Sequence, residues 1–82
     1  MKFEELVKEY NNMLEKNNMG FRLDLECKNQ FRIVLANNNG LKSYIISLTS
    51  EERKNMENFF AEYDITLISN NTGSMYWNSR WI

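Results

Sequence analysis

No histidine occurs anywhere in the chain. That removes the usual general base, the commonest metal ligand and every catalytic triad built on imidazole. The single cysteine excludes an internal disulfide, and it has no companions with which to build a zinc cluster. The three glycines never gather into a phosphate-cradling loop, so neither a P-loop nor a dinucleotide fingerprint is present. Proline is missing altogether, against thirteen asparagines, so turns fall to Asn and Gly. No apolar run approaches membrane length, and the opening Met1-Lys2-Phe3-Glu4-Glu5 carries acid where a signal peptide is apolar. The expectation is a soluble cytoplasmic protein without cofactor or metal. An excess of charge is lacking too. Ten basic against eleven acidic side chains leave a net charge of −1, which argues against a nucleic-acid binder working by bulk charge and against an acidic decoy.

What remains is the material of one small domain, residues 1–82. At this size folding buries only roughly 60–65% of the unfolded chain's surface, which leaves little room for a deep substrate pocket. The clearest pattern lies in Phe21–Leu48. Phe21, Leu23, Leu25 and Cys27 alternate with Arg22, Asp24, Glu26 and Lys28, a period of two that marks a half-buried strand. After the polar break Lys28-Asn29-Gln30, Phe31, Ile33 and Leu35 continue the inward set, with Arg32 and Val34 on the other face. Asn37-Asn38-Asn39-Gly40 is the strongest turn signal. Leu41–Leu48 then reads as a third strand with Tyr44, Ile46 and Leu48 inward. Charges on the outer face suit an antiparallel sheet with one side in water. Cys27, on the apolar face, is expected to be a buried and inert thiol.

A helix is expected on each side of this meander. Phe3, Leu6, Val7, Tyr10 and Leu14 recur at helical spacing, with Asn17-Asn18-Met19-Gly20 as the stop. Thr49-Ser50-Glu51-Glu52 fits a capping box, and Met56, Phe59, Phe60 and Tyr63 form the apolar face of a second helix ending near Asp64. Ile65–Ile68 reads as a fourth strand, Asn70-Asn71-Thr72-Gly73 as a turn, and Met75–Ile82 as a returning fifth strand. The fold class is therefore α+β: helix, three-stranded antiparallel meander, helix, then a C-terminal strand or hairpin.

Two surfaces stand out as candidates for binding. Tyr76, Trp77, Arg80 and Trp81 place both tryptophans in the last six residues, beside the only charge after Asp64. One reading docks the alternating set Met75, Trp77, Ser79 and Trp81 onto the core. The other presents the aromatics to a partner, since Trp, Tyr and Arg dominate binding hot spots. The second surface is the outer sheet face around Asp24 and Glu26, where Arg22 and Lys28 offer local neutralisation. With no catalytic group in sight, a non-enzymatic domain that binds a protein is the leading expectation.

The order helix, three-stranded meander, helix also resembles double-stranded RNA-binding domains, in which lysines at the start of the second helix clamp phosphates. Here that segment, Thr49-Ser50-Glu51-Glu52-Arg53-Lys54, begins with two acids. A nucleic-acid module using Arg22, Lys28, Arg32, Arg53 and Lys54 is the rival expectation. Over about Phe31–Tyr63 the chain is similar to small phage-borne type II anti-CRISPR inhibitors, which occupy the DNA-binding surface of a Cas nuclease. The residues concerned are Phe31-Arg32-Ile33-Val34-Leu35, the Asn-Gly turn, Tyr44-Ile45-Ile46-Ser47, and an acid-started helix with Phe59 and Phe60. The chain departs from that family in its near-neutral charge and in Trp77 and Trp81. The resemblance implies a small inhibitor with a protein partner, a Cas nuclease among the candidates, but carries over neither the target nor the contact residues.

Overall fold

A computed structural model describes residues 2–36 and 45–81 of the chain. The elements run α1 (Phe3–Lys16), β1 (Phe21–Cys27), β2 (Gln30–Leu35), α2 (Ser50–Ala61), β3 (Leu67–Ser69), β4 (Met75–Asn78) and a 3-10 turn at Ser79–Trp81. The fold is α+β, with a four-stranded antiparallel sheet in the order β1-β2-β4-β3.

The stripe Phe3, Leu6, Val7, Tyr10 and Leu14 is the buried face of α1, as its spacing requires. At its N-terminus the Lys2 amide donates to the Glu5 carboxylate at 2.9 Å. At its C-terminus Asn18 takes φ 54, the Met19 amide donates to the Leu14 carbonyl and the Asn18 amide to the Glu15 carbonyl. This pair of bonds is a Schellman motif, which satisfies carbonyls the helix leaves open. α2 opens on the expected capping box: Thr49 Oγ1 accepts from the Glu52 amide, and the Thr49 amide donates to Glu52 Oε1. It closes as α1 does, with Asp64 at φ 62 and the Ile65 amide donating to the Phe60 carbonyl.

β1 and β2 form the hairpin that the alternation predicts, with Phe21 opposite Leu35 and Leu23 opposite Ile33. Two positions differ from the expected pattern. The register slips between Leu25 and Cys27, so Cys27 leaves the inward set, and its thiol is exposed rather than buried. Leu35 is exposed while Val34, on the opposite face, is buried.

The largest departure concerns the third meander strand. Its turn at 37–40, and its first half at 41–44 with Tyr44, lie outside the described residues. Its second half forms no strand: Ile45 makes one bridge to Val34, and the Ile46 amide donates to the Ile33 carbonyl at 2.9 Å. Ile46 and Leu48 still pack against the core. The neighbour of β2 is instead β4, with Gln30 opposite Trp77, Phe31 opposite Tyr76 and Arg32 opposite Met75. Pairing with two segments lets the single strand β2 use both halves of its second edge.

The C-terminal strand is shorter and oppositely phased to the reading that docked Met75, Trp77, Ser79 and Trp81 on the core. It stops at Asn78 and passes into the 3-10 turn, and its buried residue is Tyr76, with no exposure at all. Around Phe31 the ring centroids of Phe3, Phe60 and Tyr76 lie at 5.8, 5.8 and 5.7 Å. That aromatic stack, closed by Leu6, Ile33 and Met56, is the centre of the core. The outer edge of β1 is covered locally. Asn11 on α1 donates its amide to the Leu23 carbonyl and accepts from the Leu23 amide, both at 2.8 Å, which blunts an otherwise open strand edge.

Candidate protein-binding face

Because neighbouring residues on a strand leave opposite faces, burial of Phe31, Ile33 and Tyr76 turns Gln30, Arg32, Met75 and Trp77 outward. Leu67 joins the core and Ser69 meets α2, so Ile68 between them also points out. The pairings then lay these residues in rows. Ile68 faces Trp77, and Trp77 faces Gln30. In the next row Met75 faces Arg32, and Arg32 faces Asp24. Ile68, Met75 and Trp77 are half-buried and do not belong to the core cluster. Gln30 Nε2 lies 3.0 Å from Met75 Sδ, which ties the two rows together.

The charged end of this face is internally matched. Arg32 Nε lies 3.1 Å from Asp24 Oδ2 and 2.6 Å from Glu26 Oε1. Arg32, from the adjacent strand, supplies the neutralisation that sequence had assigned to Arg22 and Lys28. Arg22 turns instead to the carbonyls of Met19 and Phe21.

Among the expected partner-binding residues, the sheet thus brings Trp77 onto the same face as Asp24 and Glu26. It removes Tyr76, whose ring is a core element and offers no surface to a partner. Arg80 is exposed on the 3-10 turn, where its amide donates to Asn78 Oδ1. Trp81 closes that turn; its side chain lies outside the described residues. Gln30, Ile68 and Met75 were missed, because their place on the face follows from β4 inserting beside β2, a long-range pairing without local signature.

The cations of the nucleic-acid reading are dispersed or occupied. Arg53 donates to Glu57 at 3.3 Å and to Ser69 Oγ at 2.8 Å, and its guanidinium lies 5.7 Å from the Tyr76 ring centroid. Arg32 is held by two carboxylates, and the exposed Lys28 and Lys54 sit on separate elements, the β1–β2 turn and α2. Among the described residues no group of three or more acidic or thiol side chains gathers with metal-ligand geometry. No described helix is long and apolar enough to cross a membrane.

Two tyrosines have phenols harder to ionise than usual. Burial raises Tyr76, with Arg53 opposing and Glu57 adding to the shift. Burial also raises Tyr10, reinforced by the Glu52 carboxylate.

No family model matches the chain, and neither a curated protein nor a solved structure matches it.

Proposed function

We propose that this chain is a small non-enzymatic inhibitor that acts by covering a surface of another protein, with the outer face of the sheet as its contact. The observation that carries this reading is the position of Trp77. It is half-buried on an inner strand of the sheet, with Ile68 on one side and Gln30 on the other. A large rigid aromatic beside apolar neighbours, here Ile68 and Met75, is the usual composition of a binding hot spot. At the charged end of the face Asp24, Glu26 and Arg32 are already paired, so docking need not leave an isolated charge desolvated. Resemblance to anti-CRISPR inhibitors makes the nuclease effector of a type II system the first partner to test, with phage or mobile-element origin as its corollary.

The test is capture of purified effector, with and without its guide RNA, by immobilised wild-type and Trp77→Ala protein, alongside the effector's DNA cleavage. Trp77-dependent capture with loss of cleavage supports the proposal. Equal capture by both proteins removes Trp77 as the anchor. Tight, salt-steep binding of duplex RNA or DNA by this chain alone would favour the nucleic-acid module instead.

A further inference from the structure

On the other side of the molecule, between α1 and α2, runs an open groove of about 380 Å³. Its floor is apolar: Tyr10, Leu14 and Phe59 meet there, the rings of Tyr10 and Phe59 at 4.9 Å. Met13 and Met19 form a wall, and Met13 is 42% exposed. Along α2 and its C-cap residue Glu62, the lining residues Glu52, Asn55, Phe59 and Glu62 make one stripe of a helix. Glu52 and Glu62 are the only charged groups among the described residues lining the groove. Separated by about ten residues, they stand about 15 Å apart along α2 and bracket the apolar floor.

We infer that this groove takes a basic amphipathic helix from a partner protein, with apolar side chains between the helices and lysine or arginine at each end against Glu52 and Glu62. The charge pattern selects the occupant. A groove bracketed by acids at two to three helical turns is complementary to a helix with cations at that spacing, and it disfavours an acidic one. The methionine wall suits such a helix, since unbranched thioether side chains repack around varied apolar surfaces. Glu52 keeps one carboxylate oxygen for this role, because the capping bond to Thr49 uses only Oε1. The groove lies on the helix side of the sheet, so this inference stands independently of the outer face and Trp77.

The experiment titrates a fluorescein-labelled helical peptide of Leu and Lys, about 18 residues long, into the full chain and follows anisotropy. A Leu/Glu peptide of the same pattern is the control. Met13→Lys and Glu62→Lys are the groove variants. Both positions are exposed, and a lysine at Glu62 suits the C-terminal end of α2, so circular dichroism should show an intact fold. Expected are binding of the Leu/Lys peptide only, about tenfold weaker binding in each groove variant, and no change in Trp77→Ala. Failure of the Leu/Lys peptide to bind, equal binding of the Leu/Glu peptide, or wild-type affinity in Met13→Lys and Glu62→Lys would overturn it. A concentration-dependent dimer of the free chain that Met13→Lys abolishes would assign the groove to a second copy and overturn it equally.

Discussion

The Tyr76 hydroxyl is sealed beneath Gly73: a Cβ built at Gly73 would sit 3.4 Å from Tyr76 Oη. Gly73 holds φ +72, so the turn before β4 closes over the phenol in a conformation L side chains resist. The hydroxyl is buried without a hydrogen-bond partner among the described residues. An unpaired buried hydroxyl costs about 1–3 kcal/mol. Tyr76→Phe keeps the ring in the aromatic stack and is expected to leave stability unchanged or raise it by about 1 kcal/mol in urea denaturation. Gly73→Ala should lose about 1–2 kcal/mol through the positive φ.

Trp77 and Tyr76 differ by one position on β4 and should differ sharply on truncation. Tyr76→Ala removes a fully buried ring stacked on Phe31, with an expected loss of about 3–5 kcal/mol. Trp77→Ala removes a half-buried ring from the outer face, and about 1–2 kcal/mol is expected. Urea midpoints of the two variants measure the contrast. Equal losses would place Trp77 in the core and remove it as an anchor.

Arg32 joins two carboxylates on a face that solvent still reaches, its side chain being 37% exposed. Solvent screening keeps such pairs weak, so Arg32→Gln should cost only about 0.5–1 kcal/mol, and less as salt rises. Asp24→Asn alone should cost less still, because Glu26 retains its contact with Arg32. Denaturation at two salt concentrations, with the Asp24→Asn/Arg32→Gln double variant closing the cycle, reads the coupling.

The helices and the first hairpin were legible in the sequence because their causes are local. The stripe Phe3 to Leu14, the Thr49–Glu52 capping box and the alternation through Phe21–Leu25 are set by residues a few positions apart. The partner of β2 was not legible. Ile45–Leu48 and Met75–Asn78 are both β-prone, and nothing within either segment says which will lie beside Gln30–Arg32. The same gap hid the composition of the candidate face. Trp77, Asp24 and Glu26 were each readable as surface features, but their meeting on one face depends on β4 pairing with β2. The phase of β4 was equally ambiguous, since Met75 and Trp77 offer as much apolar area as Tyr76, and a one-residue slip exchanges the two faces.

The register slip after Leu25 has a chemical consequence at Cys27. An exposed thiol is open to reagents without waiting for unfolding. Native protein should therefore be labelled stoichiometrically by a thiol-reactive aromatic disulfide at mildly alkaline pH, at a rate that urea scarcely increases. The labelled protein should keep its circular dichroism spectrum, because Cys27 contributes nothing to the core cluster. Protection until unfolding would instead restore the buried thiol that the alternation suggested.

Alkaline pH should destabilise the fold through Tyr10 and Tyr76. Both phenols have folded-state pKa values raised above 10.0, chiefly by burial. Below the unfolded value both states bind the proton equally, and the full stability is present. Above it the unfolded chain releases the proton first, so stability falls with rising pH until the folded phenols also ionise. The limiting slope is about 1.4 kcal/mol per pH unit for each tyrosine. Urea denaturation from about pH 8 to about pH 11 should show a plateau followed by this decline. Tyr10→Phe and Tyr76→Phe should each flatten it, and the double variant should remove most of it. A decline that survives in the double variant would place its origin in other groups, and would separate these phenols from the alkaline response.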